Sequence, residues 1–553
     1  MIITQEEFRN LQPDCSVVIV GSGAAGSSAA LELASLGRKV LLIEAGTWSR
    51  STENQQPYIG EVTNPQHAPL QNYRSRRMGG TTDVWGGRCV PYDPIDFEKR
   101  DHVPFSGWPF SKTALDPFYA RAHRWLKIGE YDYDARSALR NRYRPMIEGF
   151  HGEVVDTDNL ERYTYPMDFG RHYKKEFFDH PDIFVLLETP ITRIQLSSDG
   201  KTVAYLESRD GKGSILKITA DRYVLATGCL EVTRLLMVSN DVAKNGIGNH
   251  SGLLGKFYMS HLSGTIGHLK IKPEVASTFF DYEQTHEGVY CRKRLVIRAE
   301  AQMRERTANF AAWPQYPEIQ DPSHRSGIFS SMYLAKNIRY VYNRRVPEGG
   351  VIHGQDNWKT LGGHVRNIIL GFPQCLKYGA RYVFQRILAT NKLPGLFIPN
   401  SKRCYALHYH VEQVPTEDSR VELGDSCDSL GMRRLKVSWK YCDLDIDSIV
   451  RSYHMIKKEL ESQNVGTLEF DEAGLEAAVR RQIGVGGHHI GTTRMSVDPN
   501  EGVTDPDCRI HGIDNLYIAS SAVFPTSGQA NPTLTIAAIA MLVADRVHQS
   551  LDQ

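Results

Sequence analysis

The chain has 553 residues, too many for one ordinary core, so two domains are expected. Hydrophobic residues make up 41%, charged residues 23%, and the formal net charge is +1 at pH 7. This is a globular balance, and it gives no support to nucleic acid or a membrane as the general partner. The nine cysteines are odd in number, scattered and without a CxxC pair. That argues against a disulfide framework and fits a reducing compartment. The start, MIITQEEFRNLQPDC, has no apolar signal core, and no apolar run reaches the roughly 18–20 residues of a membrane helix. A cytoplasmic location is the expectation.

Residues 16–20 (SVVIV) are apolar and β-branched and read as a buried parallel strand. Gly21, Gly23 and Gly26 follow in GxGxxG spacing, residues 24–35 read as a helix, and residues 39–43 read as a second strand ending at Glu44. Gly21 suits a tight turn, Gly23 lets backbone approach a pyrophosphate, and Gly26 lets helix and strand pack closely. Ala24 and Ala25 open the helix, whose N-terminus favours an anion. Glu44 would accept hydrogen bonds from an adenosine ribose, with Ala45 beside it. Residues 72–91, NYRSRRMGGTTDVWGGRCVP, place Gly79, Gly80, Gly86 and Gly87 around Thr81, Val84 and Trp85. Glycines at this density suit a backbone running close to a flat ligand.

These two stretches, GxGxxG…EAG and GGTTDVWGG, together resemble the glucose–methanol–choline (GMC) oxidoreductase family of FAD enzymes. In the pyranose-oxidase branch of that family a His just before the Trp carries the flavin covalently. Val84 stands there in this chain, so the resemblance implies FAD held non-covalently. Residues 106–119 resemble the family's next segment and read, by pattern, as a Ser111 cap followed by an amphipathic helix.

Residues 136–161 are polar, rich in Arg and Tyr, and read as loop or lid. Residues 183–188, 203–209 and 214–219 read as strands. Residues 223–225 lead into Ala226, Thr227 and Gly228, a second backbone-approach turn of a doubly wound sheet, followed by a helix over 231–238. Residues 254–261 resemble the family, with His261 read as structural. Residues 264–412 are long and mixed, as a substrate domain would be, and Trp313 and Tyr316 could stack on a sugar face. From 357 to 411 there is no Asp or Glu, while Lys359, Arg366, Lys377, Arg381, Arg386, Lys392, Lys402 and Arg403 fall there. Two readings stay open: a basic surface facing acidic neighbours in the fold, or a face for an anionic partner such as a membrane headgroup, a phosphorylated or lipid-linked sugar, or an acidic protein. Residues 409–439 alternate like strands and include Gln413, and residues 443–460 read as an amphipathic helix.

Near the C-terminus, GVGGHHIGTTRM (484–495) sets His488 beside His489. No third ligand falls at metal-binding spacing nearby, so no metal is expected. A His next to a redox cofactor serves instead to take the proton of an alcohol being oxidised. A strand over 516–519 precedes Ser520, Gln529 and Asn531. Asn531 suits the cap and Pro532 and Thr533 the first turn of a helix over 534–547. The segment from HHIGT to NPT resembles the C-terminal signature of the GMC family. The resemblance implies that His488, rather than His489, is the catalytic base and that Asn531 is its partner, the His/Asn pattern of pyranose oxidase, cholesterol oxidase and cellobiose dehydrogenase. Many members carry Asp and Ser where this chain has Ser520 and Ala522.

The expected fold is α/β: an FAD-binding, doubly wound Rossmann-like domain (1–100, 185–263 and 480–553), a lid and connecting segment (101–184), and an α+β substrate-binding domain with an antiparallel sheet (264–479). The expected activity is FAD-dependent oxidation of a primary or secondary alcohol of a sugar or glycoside to the carbonyl. His488 would take the proton, flavin N5 the hydride, and oxygen or another acceptor the electrons. Gln413, His489 and Gln529 are candidate substrate contacts. The alternatives are a non-sugar alcohol, such as a sterol or polyketide, and a flavin-fold protein that binds without turnover.

Overall fold

The computed structural model describes residues 1–11, 13–164, 168–209, 214–315, 319–343, 358–395, 397–399, 402–484 and 487–553. Its first sheet is parallel throughout, in the order Ile2–Ile3, Ile183–Leu186, Val40–Ile43, Val17–Val20, Arg222–Leu225, Leu516–Ile518. Val17–Val20 and Val40–Ile43 are buried at every position, because a parallel sheet is covered on both faces. The first strand, helix Ala24–Ser35 and second strand form over the residues that the pattern predicts, to within one position.

Ala24–Ser35 packs against helix Thr533–Leu551, which also packs on helix Lys112–Leu126. Thr533–Leu551 is long and apolar enough to span a membrane, but most of it is buried here. Glu32, the one charge on Ala24–Ser35, accepts from Arg121 Nη2 at 2.6 Å and Trp125 Nε1 at 2.6 Å. Arg121 also binds Asp545 at 2.6 Å, so one guanidinium ties the three helices together.

The second large sheet runs Gly466–Glu469, His261–Ile271, Cys404–Glu412, Phe310–Gln315, Leu295–Ile297, Val155–Asp156, and is antiparallel. Helix Asp443–Ser462 buries Ile446, Ile449, Tyr453, Ile456 and Leu460, a three-and-four spacing that gives one apolar stripe. Tyr453 OH donates to Ile266 O at 3.1 Å, fixing this helix to the sheet.

Several expectations need correction. Residues 136–161 form no simple loop: they contain helix Ala135–Leu139 and strand Val155–Asp156, and strand Leu160–Tyr163 starts just before their end. That last strand pairs with Arg88–Cys89 and Tyr290–Lys293, and its polar look is misleading because Arg162 is buried and donates to Glu287 Oε2 at 3.0 Å. Strand Ile191–Leu196 escaped the sequence pattern and is the hairpin partner of Val203–Arg209. Ser111 holds the N-cap position of Lys112–Leu126, but its hydroxyl meets Thr113 Oγ1 rather than the backbone.

One buried ion pair joins the segment after the glycine loop to the antiparallel sheet. Arg100 Nη1 and Nη2 donate to Glu412 Oε2 and Oε1 at 2.7 and 2.6 Å, with both side chains fully buried. Glu412 also accepts from Asn309 N at 3.0 Å. Glu412→Ala leaves the Arg100 charge alone in the core. It is expected to lower the unfolding free energy by about 3–5 kcal/mol, read as a fall in the denaturant midpoint. An unchanged midpoint would show that the pair is not structural.

Candidate active site

A cavity open to solvent runs from Glu44 to His488, with about 1530 Å³ of empty space when its open mouth is included. At its inner end Gly21 has φ +100°, and a Cβ there would stand 2.6 Å from Ala226 O. Gly23 has no neighbour within 4 Å of its missing Cβ, and no side chain caps the helix that it starts. Free space and uncapped N–H groups are what a pyrophosphate needs. Gly80, at φ +53°, would bring a Cβ 2.8 Å from Gly23 Cα, so the second glycine loop lies directly on the first. Glu44 is fixed by Ser22 O–H at 2.6 Å and Gly46 N–H at 2.8 Å.

Ala24, Ala25, Ala45, Thr81, Trp85, Ala226, Thr227, Gly228, Ser520, Pro532 and Thr533 line this cavity with Gly21, Gly23, Glu44 and Gly80. Four of the expected loop residues do not. Gly79, at φ +87°, packs against Gly170, Val84 is 43% exposed, and Gly86 and Gly87 lie outside the lining. Gly26 also lies behind the lining and acts through packing, because a Cβ there would overlap Gly21 O.

At the other end the hydrogen bonds order the protons on two imidazoles. His261 Nε2 meets Ser527 O at 3.1 Å, and a carbonyl only accepts, so this nitrogen carries a proton. Burial drives the pKa of His261 well below its ordinary value, so the ring is neutral and its Nδ1 is an acceptor. His488 Nδ1 lies 2.8 Å from that atom and therefore donates to it. The proton-free Nε2 of His488 is left facing Asn531 Nδ2 at 3.0 Å. Burial, then Arg88, pushes the His488 pKa down to about 3, so the lone pair is free at neutral pH. Asn531 does not cap the last helix as its position suggested. Pro532 holds the N-cap, and the amide turns to His488.

His489 has its own chain of the same kind. His67 Nδ1 donates to Ala68 O at 2.6 Å, Tyr258 O–H donates to His67 Nε2 at 2.7 Å, and His489 Nδ1 donates to the Tyr258 oxygen at 2.6 Å. His489 Nε2 is then proton-free, buried and without a partner among the described residues.

The two glutamines are spent on the protein. Gln413 Oε1 accepts from Ser260 N and Trp439 Nε1 at 2.8 and 2.9 Å, and its Nε2 donates to Lys440 O. Gln529 accepts from Arg294 and donates to Asp93, and its backbone oxygen holds His410 Nδ1 at 2.6 Å. Neither offers a group to a substrate. Trp313 is buried, with Arg88 4.4 Å over its ring, and is closed to a sugar face, while Tyr316 lies outside the described residues. His261, expected to be structural only, touches His488 directly. Together with His410, three histidines come within metal-ligand reach, which sequence spacing had not shown. Their hydrogen bonds go instead to one another, to Asn531 and to carbonyls. The one available signal was the alternation of His408 and His410 on a strand, which puts both on one face.

A family model described as FAD dependent oxidoreductase matches residues 16–245, and one described as GMC oxidoreductase matches residues 415–540. The chain belongs to the GMC oxidoreductase family. It is 22% identical to 2-methyl-1,2-propanediol dehydrogenase of Mycolicibacterium austroafricanum over 96% of this chain and 94% of that protein. It is also 22% identical to paromamine 6'-oxidase of Streptomyces fradiae (96% and 91% covered) and to the fructose dehydrogenase large subunit of Gluconobacter japonicus (97% and 98%). The fold is that of pyridoxine 4-oxidase from Mesorbium loti, with a TM-score of 0.53 at 17% identity over 97% of this chain and 99% of that one.

As a GMC oxidoreductase the chain is an FAD-dependent oxidoreductase of alcohols. The residues present fit that cofactor. Gly23 leaves its side of the turn open, the helix start is uncapped, and Thr227 Oγ1 and His489 Nε2 are buried polar atoms without partners in the cavity wall. Gly21→Val closes the turn against Ala226 O and is strained at positive φ. The variant is expected to purify without flavin absorbance while keeping its helical circular dichroism; a yellow variant would refute the placement of the cofactor's phosphates at this turn.

Proposed function

We propose that this GMC oxidoreductase oxidises a C–OH group of a sugar or glycoside to the carbonyl, with His488 Nε2 as proton acceptor and Asn531 as the group that holds the hydroxyl oxygen. The proton order from Ser527 O through His261 to His488 carries the reading, since it leaves the lone pair on the nitrogen that faces Asn531. With Asn531 Nδ2 and His488 Nε2 3.0 Å apart, one hydroxyl can use both: its oxygen accepts from the amide and its hydrogen goes to the imidazole. Bound FAD supplies the acceptor for the hydride that leaves carbon as the C=O bond forms. The O–H proton and the C–H hydride account for the two electrons and two hydrogens removed. FAD is held without a covalent bond, a reading supported by Val84, which offers no nucleophile where the pyranose-oxidase branch has His.

The sugar class is supported by the similarity to paromamine 6'-oxidase and to the fructose dehydrogenase large subunit. The diol dehydrogenase favours a second reading, a small aliphatic diol. Anaerobic flavin bleaching with a panel of glycosides, aminosugars and small diols separates the two, and bleaching by diols alone would overturn the sugar assignment.

His488→Ala is expected to keep its FAD and to lose flavin reduction by about 10²–10⁴-fold; an unchanged reduction rate removes the base assignment. His261 is a positioning residue. His261→Leu removes the acceptor that fixes the His488 tautomer and should lower kcat with little change in KM, whereas His261→Gln offers a carbonyl oxygen and should recover part of the loss. Equal losses in both variants would leave His261 a packing residue. Because the folded pKa of His488 lies far below the ordinary 6.5, the base form persists as pH falls. The rate of flavin reduction should therefore show no acid limb at 6.5; a limb there would mean that His488 titrates as an ordinary histidine.

A further inference from the structure

Half of the large apolar side chains exposed among the described residues fall within residues 361–388. This stretch comprises most of helix Trp358–Leu370, helix Phe372–Tyr382, and the π-helical turn Val383–Leu388 that continues it. It belongs to an excursion between Phe310–Gln315 and Cys404–Glu412, neighbouring strands of the antiparallel sheet, the second of which carries His410. The inner side of the excursion has a small core of its own. His364 Nδ1 meets Ser330 Oγ at 3.0 Å, Asn367 Nδ2 donates to Pro322 O at 2.8 Å, and the His364 ring stacks on Tyr333.

Among the described residues, none covers the outer side. No residue from 368 to 390 is buried. Ile369, Phe372, Leu376, Val383 and Ile387 recur three, four, seven and four residues apart, which makes one stripe along the helical run. Leu370, Phe384 and Leu388 widen it, and Ile369, Leu370, Phe384 and Leu388 are each at least 65% exposed. An apolar surface of this length is not left open to water without a use. Its charges are of one sign: Arg366 and Lys377 are exposed within it, Arg381 and Arg386 are partly exposed, and no acid occurs from 357 to 411. Arg381 meets its nearest acid on a different segment, Asp281 at 2.9 Å. Of the two readings left open by the sequence, a basic surface facing acidic neighbours accounts for Arg381 but leaves the apolar stripe unexplained.

We infer that residues 361–388 are a membrane-docking surface that lies in the interface of an anionic phospholipid bilayer, with the apolar stripe in the acyl boundary and the basic side chains at the headgroups. The charge complementarity is with an acidic surface, and the continuous stripe of large aliphatic and aromatic side chains fits a fluid acyl layer. The alternating-charge rim of a protein interface is missing here. The inference is independent of the catalytic assignment, because it concerns a surface that the mechanism does not use.

The flavin-loaded 553-residue chain should sediment with vesicles of phosphatidylcholine and phosphatidylglycerol mixed equally, and much less with phosphatidylcholine alone. At about 1 M salt, where the Debye length is about 3 Å, part of the binding should survive, since apolar insertion is not screened. Arg366→Gln combined with Lys377→Gln should weaken the partition by about 25-fold, at about fivefold per basic residue. Ile369→Asp combined with Phe384→Asp should abolish it. Flavin content and oxidation of a soluble alcohol should be unchanged in all of these, which separates loss of docking from loss of fold. Three results overturn the inference: no sedimentation with the anionic vesicles, sedimentation undiminished by Ile369→Asp with Phe384→Asp, or a doubled mass in light scattering that the same variant reverses, which would assign the surface to a second copy of the chain.

Discussion

Two backbone carbonyls set the protonation of the histidine end of the cavity. Ser527 O takes the proton of His261 and Ala68 O that of His67; the first decision passes directly to His488 and the second through Tyr258 to His489. A carbonyl cannot exchange roles, so the lone pairs at His488 Nε2 and His489 Nε2 are fixed by the fold and not by solvent. Burial acts in the same direction: it lowers the pKa values of His67, His261, His488 and His489 and keeps these four imidazoles neutral, without which the donor and acceptor roles would be lost.

Holding that order demands rigid supports, and they come from distant parts of the chain. His261 begins one strand of the antiparallel sheet, His488 and Ser527 lie on C-terminal loops, and Asn531 precedes the last helix. The Arg100–Glu412 pair and the network of Asn309, Asp93 and Asp96 clamp the segment after the glycine loop to the sheet that bears His410. Arg121 does the same for the helices behind the nucleotide turn. These polar groups tie distant segments together about one cavity: Arg100 meets Glu412, and Asp93 and Asp96 both accept from Asn309.

The two ends of the cavity differ in what they ask of side chains. At the nucleotide end the requirement is absence: Gly21, Gly23 and Gly80 let three backbone segments and a ligand share one space. At the other end the requirement is a defined set of nitrogen atoms in one protonation state. The helical run over residues 361–388 adds a surface outside the strands that carry the site.

The residues that could be read in order along the chain were those whose role depends on local spacing. GxGxxG between two apolar β-branched runs, with Glu44 closing the second, determines a strand, a tight turn and a helix through steric and periodic rules that need no distant partner. The likeness of residues 484–535 to a family signature was enough to single out His488 and Asn531. Tertiary structure alone decided the roles of His261, Gln413, Gln529 and Trp313, because each depends on what a segment distant in sequence brings within 4.4 Å or less. Polar composition misled at 136–161 for the same reason: the stretch runs into a strand whose Glu161 and Arg162 are buried, Arg162 against Glu287 and the carbonyl of Ile128. A linear pattern records which side chains are apolar, small or ionisable; which polar atoms find one another is settled only when the sheets close on the cavity.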